Sequence, residues 1–185
     1  MIPIVYLAYA FAISELALVL VKRSKTGTVK TRKDRGSLII LWVMMTIGLT
    51  CGFFLSKYDS RNSVNYFYAG FGFVFILAGL IIRWVAIIQL GKSFTVDVAI
   101  TDVAKLKTDG IYKQVRHPSY LGLLLVVTGF SITMNSFYSF LAIVVPIFLA
   151  ISYRISVEEK VLISEFGDSY IQYKANSKKI IPGIY

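Results

Sequence analysis

The chain has 185 residues, of which 56% are hydrophobic and only 16% charged, and its mean hydropathy is +0.68; this excludes an ordinary soluble domain and points to a bilayer as solvent. The formal net charge is nevertheless +10, so the basic side chains are concentrated between apolar runs, as suits a protein facing an anionic cytoplasmic leaflet. Cys51 is the one cysteine and His117 the one histidine, which rules out an internal disulfide and leaves a zinc site short of ligands; neither a metal nor a nucleic-acid partner is expected.

The first apolar run, Ile2 to Val21, has no basic residue ahead of it and no small-residue cleavage site behind it. Its length matches the roughly 20 residues that cross hydrocarbon, so it is expected to be a retained helix rather than a signal peptide. Four more runs follow: Ser37 to Leu55, Tyr66 to Leu90, Ser119 to Met134 and Phe137 to Ile155. Asn135-Ser136 between the last two is turn chemistry that makes them an antiparallel hairpin. The fourth run is short for a full crossing, which leaves a tilted or partly interfacial helix open there.

Lys22, Arg23, Lys25, Lys30, Arg32, Lys33 and Arg35 crowd the first loop against Asp34 alone, which predicts a cytosolic loop and an external N-terminus. Alternation then puts residues 91–118 and everything after Ser156 in the cytosol, together with Lys92, Lys105, Lys107, Lys113, Arg116, Lys160, Lys174, Lys178 and Lys179. Beyond the fifth run, Val161, Leu162, Phe166 and Ile171 are spaced among charges over Val157 to Lys174, a pattern of an amphipathic helix that Gly167 can interrupt. The expected fold is therefore an all-α integral membrane protein of five transmembrane helices with a helical hairpin of spans four and five and a C-terminal amphipathic helix. Residues 1–65 form a two-span region without motifs, and 66–185 form the core. With no G-x-G-x-x-G after a strand and no strand–helix alternation, a doubly wound nucleotide-binding domain is excluded.

Ionisable residues inside spans are expensive and are functional candidates by default. Glu15, Arg83 and Arg154 are the three. For the arginines the alternative is snorkelling of the guanidinium to headgroup phosphate. Glu15 cannot reach far, so pairing with an arginine or protonation is favoured over catalysis. Pro118 disfavours helix at His117 and suits the first turn after it, so the imidazole sits just before a helix start, where free N–H groups and partial positive charge can seat a carboxylate. A capped interfacial loop with an aromatic belt of Tyr112 and Tyr120 is the other reading of that segment. Glu158-Glu159, just past the end of a span, reads either as a solvated helix start, favourable to the helix dipole, or as acceptors for ribose hydroxyls or a cation.

In order, the chain carries Arg83, Leu90-Gly91-x-x-Phe94, Gly110-x-Tyr112, Arg116-His117-Pro118-x-Tyr120-x-Gly122, Arg154, Glu158-Glu159-x-x-Leu162, Phe166-Gly167-x-x-Tyr170 and Ile181-Pro182. This series resembles the isoprenylcysteine carboxyl methyltransferase family. The resemblance implies an S-adenosylmethionine-dependent carboxyl O-methyltransferase, with a lipid-like carboxylate substrate and membrane lipids as its partners. It implies that His117, Pro118, Ser119 and Tyr120 hold the cofactor's amino-acid part, that Tyr112 packs nearby and that Glu158 binds the nucleoside. Lys105, Leu106 and Lys107 would line the adenine, and Arg83 and Arg154 would be the catalytic arginines near the lipid substrate. Membrane phospholipid methyltransferases share the cofactor half, and sterol reductases carry a similar Arg-His-Pro-x-Tyr region. Methylation of an amine headgroup with Glu158 or Glu159 as base, a nicotinamide-dependent reductase and a non-enzymatic membrane protein are the other functions these residues allow.

Overall fold

A computed structural model describes residues 2–21, 29–34, 36–59, 65–93, 98–101 and 106–184. Phe94, Lys105, Arg35 and the basic residues of 22–28 lie outside the described residues. Six helices carry the architecture: α1 Ile2–Val21, α2 Gly36–Tyr58, α3 Tyr66–Leu90, α4 Pro118–Thr133, α5 Phe137–Phe166 and α6 Asp168–Asn176. Among the described residues, α2, α3 and α5, with 23, 25 and 30 residues, are long and apolar enough to cross a membrane. Their outward faces expose Ile39, Ile47, Phe54, Ile81, Ile88 and Leu149, while the inward faces bury serines and ions. That distribution suits a lipid surround, and the chain is a multi-pass membrane protein. Helix α1 has 20 residues and α4 has 16; at about 1.5 Å per residue α4 falls short of the roughly 30 Å of hydrocarbon.

Two helix pairs build the bundle. Helices α3 and α4 approach at glycines: a Cβ on Gly79 would stand 2.6 Å from the Gly122 carbonyl oxygen, and one on Gly129 would stand 2.6 Å from that of Gly72. Small residues let apolar helices approach closely in lipid, where no hydrophobic force drives them together. Helix α2 runs beside α5, and the Ser139 hydroxyl donates to the Gly52 carbonyl at 2.7 Å. Between the pairs lies a core containing Met45, Val126, Ile143, Ile147 and Ile151.

Two expectations are corrected. The helical fold carries one addition, an antiparallel ribbon of β1 Val29–Asp34 and β2 Val98–Thr101. β1 is a charged stretch without alternation, and its partner lies far along the chain, so no local pattern announces it. The second correction concerns the C-terminal helix expected over Val157–Lys174. Nothing breaks the helix after Ile155, so α5 continues to Phe166 and only Gly167, at φ +53°, ends it before α6. The α5 helix therefore carries both part of the bundle core and the acidic pair.

Candidate active site

The segment before α4 is anchored on both sides. Gly110 has φ +60°, and a Cβ there would stand 2.3 Å from Gln89 Oε1, which accepts the Ile111 N–H at 3.0 Å; only glycine fits. Two residues on, the buried Tyr112 hydroxyl donates to the Ala86 carbonyl at 3.1 Å, fastening the Gly-x-Tyr motif to the end of α3. Val115 then forms a parallel bridge with Lys178. The Arg116 N–H donates to the Lys178 carbonyl at 2.8 Å and the His117 N–H to that of Lys179 at 3.1 Å. His117 stands at the N-cap of α4 with Pro118 in its first turn, as the sequence predicts.

The two adjacent carboxylates of α5 have separate surroundings, because successive helical residues point about 100° apart. Glu159 turns inward and is held by Lys174 Nζ at 2.9 Å, Arg116 Nε at 3.0 Å and His117 Nε2 at 3.3 Å. Arg116 extends the knot, donating through Nη1 to the carbonyls of Lys174, at 3.1 Å, and Ser177. Glu158 is the more open of the two, with a side-chain exposure of 32%. Its Oε2 accepts from the Tyr120 hydroxyl at 3.0 Å and lies 3.9 Å from His117 Nδ1.

Arg154 lies one turn before Glu158, on the same face of α5. Its Nε donates to the Tyr120 hydroxyl at 2.7 Å and its Nη1 to Ser37 Oγ, at the start of α2, at 2.9 Å. The phenol of Tyr120 thus bridges Arg154 and Glu158. Arg83 is placed differently. Its Nε and Nη2 meet Glu15 Oε1 and Oε2 at 2.5 and 2.6 Å, and its Nη1 donates to the Ser119 carbonyl and hydroxyl at 3.1 and 2.9 Å.

Of the sequence-predicted residues, Tyr112, His117, Pro118, Tyr120, Arg154 and Glu158 come together around the N-terminus of α4, while Ser119, in the same first turn, meets Arg83. Leu106 and Lys107 lie upstream, where Lys107 Nζ meets Asp109 Oδ1 at 2.9 Å. Residues without a sequence-predicted role are Lys174, Ser37 and Tyr173, whose hydroxyl donates to the Tyr112 carbonyl at 2.7 Å. Glu159 could have been sought as the counter-ion that a buried Arg116 requires, with Lys174 as a second cation on the same carboxylate; Ser37 carries no such signal. Burial, with the charge of Glu158 added, pushes the Tyr112 phenol up, and burial pushes that of Tyr173 up to about 12. Both stay neutral hydroxyls at any working pH.

The family model described as Isoprenylcysteine carboxyl methyltransferase (ICMT) family matches residues 72–164. Protein-S-isoprenylcysteine O-methyltransferase of Schizosaccharomyces pombe (strain 972 / ATCC 24843) is 40% identical over 112 residues, 60% of this chain and 46% of its own length. Protein-S-isoprenylcysteine O-methyltransferase B of Arabidopsis thaliana is 32% identical over 120 residues, 64% of this chain and 61% of its own length. The chain therefore spans about half to three fifths of the length of these relatives. The solved structure of the eukaryotic intramembrane Ras methyltransferase ICMT has a similar fold, with a TM-score of 0.67 at 23% identity, over 82% of this chain and 55% of that one. With half of its residues matched by the family model, the chain belongs to the isoprenylcysteine carboxyl methyltransferase (ICMT) family.

Proposed function

We propose that this protein transfers a methyl group from S-adenosylmethionine to the carboxylate of an isoprenylcysteine-like or other lipidic substrate at the cytoplasmic face of the membrane. The observation that supports this most is the Tyr120 bridge. Arg154 Nε to Tyr120 at 2.7 Å and Tyr120 to Glu158 at 3.0 Å join a buried cation, suited to a substrate carboxylate, to an acceptor suited to ribose.

The donor set fits such a cofactor. His117, Pro118, Ser119 and Tyr120 would hold the amino-acid part, Glu158 the ribose hydroxyls, and the segment of Lys105, Leu106 and Lys107 the adenine. The faces of Tyr112 and Tyr120 would steady a sulfonium by cation–π contact of about 0.5–2 kcal/mol. When bound, S-adenosylmethionine supplies an electrophilic methyl whose carbon–sulfur bond breaks as a carboxylate oxygen bonds to it. A carboxylate is already a nucleophile at neutral pH, so the protein needs no general base and its work is alignment. Arg154, planar and never a nucleophile, orients the substrate carboxylate. Arg83, proposed with Arg154 from the sequence, has its fork on Glu15 and Ser119 and acts by positioning the start of α4.

Methylation of an amine headgroup is the weaker reading, because an amine must first lose a proton. Glu159 is engaged by Arg116, Lys174 and His117, and a carboxylate so paired is a poor base. Calorimetry of the protein in detergent tests the proposal: S-adenosylmethionine is expected to bind, and binding of NADPH in its place would favour a reductase.

The arrangement in the membrane follows the basic loops. Five spans, α1 to α5, leave the N-terminus outside and the C-terminus cytosolic, with residues 66–185 as the methyltransferase core. An impermeant thiol reagent applied to intact cells should label Tyr58→Cys, at a position 86% exposed, and not Gln172→Cys, both made in a Cys51→Ser background. The opposite pattern would invert the topology.

A further inference from the structure

The tyrosine of the Phe166-Gly167-x-x-Tyr170 series has no role assigned so far. Tyr170 is 1% exposed, and its hydroxyl has no hydrogen-bond partner within the described chain. Its ring meets the edge of Tyr173, with centroids 5.9 Å apart at 71°, and Tyr173 in turn donates to Tyr112. Burial, with the charges of Glu159 and Glu158 added, raises the phenol further above its ordinary range, so the hydroxyl keeps its proton. Neighbouring groups that could receive it are engaged elsewhere: Glu159 with Arg116, Lys174 and His117, and Glu158 with Tyr120. Buried hydroxyls in native proteins are nearly always bonded, so one left over beside a binding site calls for a partner from outside the chain.

We propose that Tyr170 is a further cofactor-binding residue, its phenol oxygen accepting a hydrogen bond from the ammonium of the amino-acid end of a bound adenosyl sulfonium or its thioether product. This rests on the methyltransferase reading and adds to it a contact for that end of the molecule. The ammonium is the chemical complement of the position, since two carboxylates lie close by and the phenol oxygen offers lone pairs to a donor.

The test uses the full chain in detergent and two probes, S-adenosylhomocysteine and 5′-methylthioadenosine, which keeps the nucleoside and thioether but lacks the amino-acid part. Tyr170→Phe should weaken S-adenosylhomocysteine about tenfold, as loss of a hydrogen bond to a charged group does, and leave 5′-methylthioadenosine unchanged. Its unliganded melting temperature should equal or exceed that of the wild type, because the deleted hydroxyl bonds nothing there. Unchanged affinity for S-adenosylhomocysteine overturns the inference, as does an equal loss for both probes. A variant that is destabilised or fails to fold also overturns it, since the hydroxyl would then be bonded without ligand, to a trapped water. A wild-type protein that binds neither probe overturns the methyltransferase reading itself, an outcome distinct from the others.

Discussion

Arg83 and Glu15 form a two-pronged pair across α3 and α1, Nε on Oε1 at 2.5 Å and Nη2 on Oε2 at 2.6 Å, both side chains buried. The third prong of the guanidinium reaches Ser119, so one carboxylate on α1 orients the arginine that holds the first turn of α4. Helix α1 also packs Phe11 into the core and against Phe130, with ring centroids 6.5 Å apart. Removing either charge strands its partner in a low-dielectric surround, at a cost of about 3–5 kcal/mol.

Glu15→Gln and Arg83→Gln should each lower the melting temperature in detergent. The double variant should be more stable than the sum of the single losses by about 0.5–3 kcal/mol. Strict additivity in that cycle would remove the ion pair and return Arg83 to the substrate-facing residues.

Arg154 touches Tyr120 and Ser37 and lies one turn from Glu158, so its removal should act on catalysis more than on cofactor binding. For Arg154→Ala we expect methyl transfer to fall by about 100-fold or more, the scale of a misaligned reactant. The Kd for S-adenosylmethionine should change by less than about threefold, well under the loss of one charged hydrogen bond. Calorimetry alongside a turnover assay measures both; a parallel loss would make Arg154 part of the cofactor seat.

His117→Ala and Glu158→Ala should weaken S-adenosylmethionine by about tenfold to a hundredfold, the scale of one charge-assisted hydrogen bond of roughly 1.5–3 kcal/mol. Glu158 is half-exposed and bonded to Tyr120, so its removal should leave the melting temperature nearly unchanged. His117 also meets Glu159, and its removal should lower stability modestly. Calorimetry with a melting curve separates the two effects, and wild-type affinity in both variants would contradict the assignment.

Gly79→Ala should destabilise the bundle with no change in any charged group. Its methyl would stand 2.6 Å from the Gly122 carbonyl oxygen and 2.8 Å from the Val126 nitrogen, both backbone atoms of α4 that cannot move aside singly. Overpacking of this kind costs about 1–3 kcal/mol. Gly70→Ala, where a Cβ meets nothing within 4 Å, is the control and should melt like the wild type. Equal melting temperatures for the two variants would mean that α3 and α4 are not packed as described.

The long helices α2, α3 and α5 were legible because apolar runs of sufficient length have few alternatives in a chain this hydrophobic. The start of α4 was legible because Pro118 permits little else. Depth along the spans was enough to suggest Glu15 as a partner for Arg83. What stayed hidden is contact between segments remote in sequence: the pairing of Val29–Asp34 with Val98–Thr101, the bridge of Val115 to Lys178, and the three donors on Glu159. None of these leaves a periodic trace, since each depends on where the bundle brings two loops together. The end of α5 was misplaced for a related reason: the change from apolar to charged residues near Ile155 marks a change of solvent, while the helix itself runs on to Gly167.

The central claim is carboxyl methylation, and the most direct measurement uses purified protein, S-adenosylmethionine labelled in its methyl group and a farnesylated cysteine with an acylated amine. The account predicts label in the lipid-soluble product, released as methanol by mild base because it sits in an ester, and lost in Arg154→Ala. Label that resists base, or appears only when the acceptor carries a free amine, would contradict it.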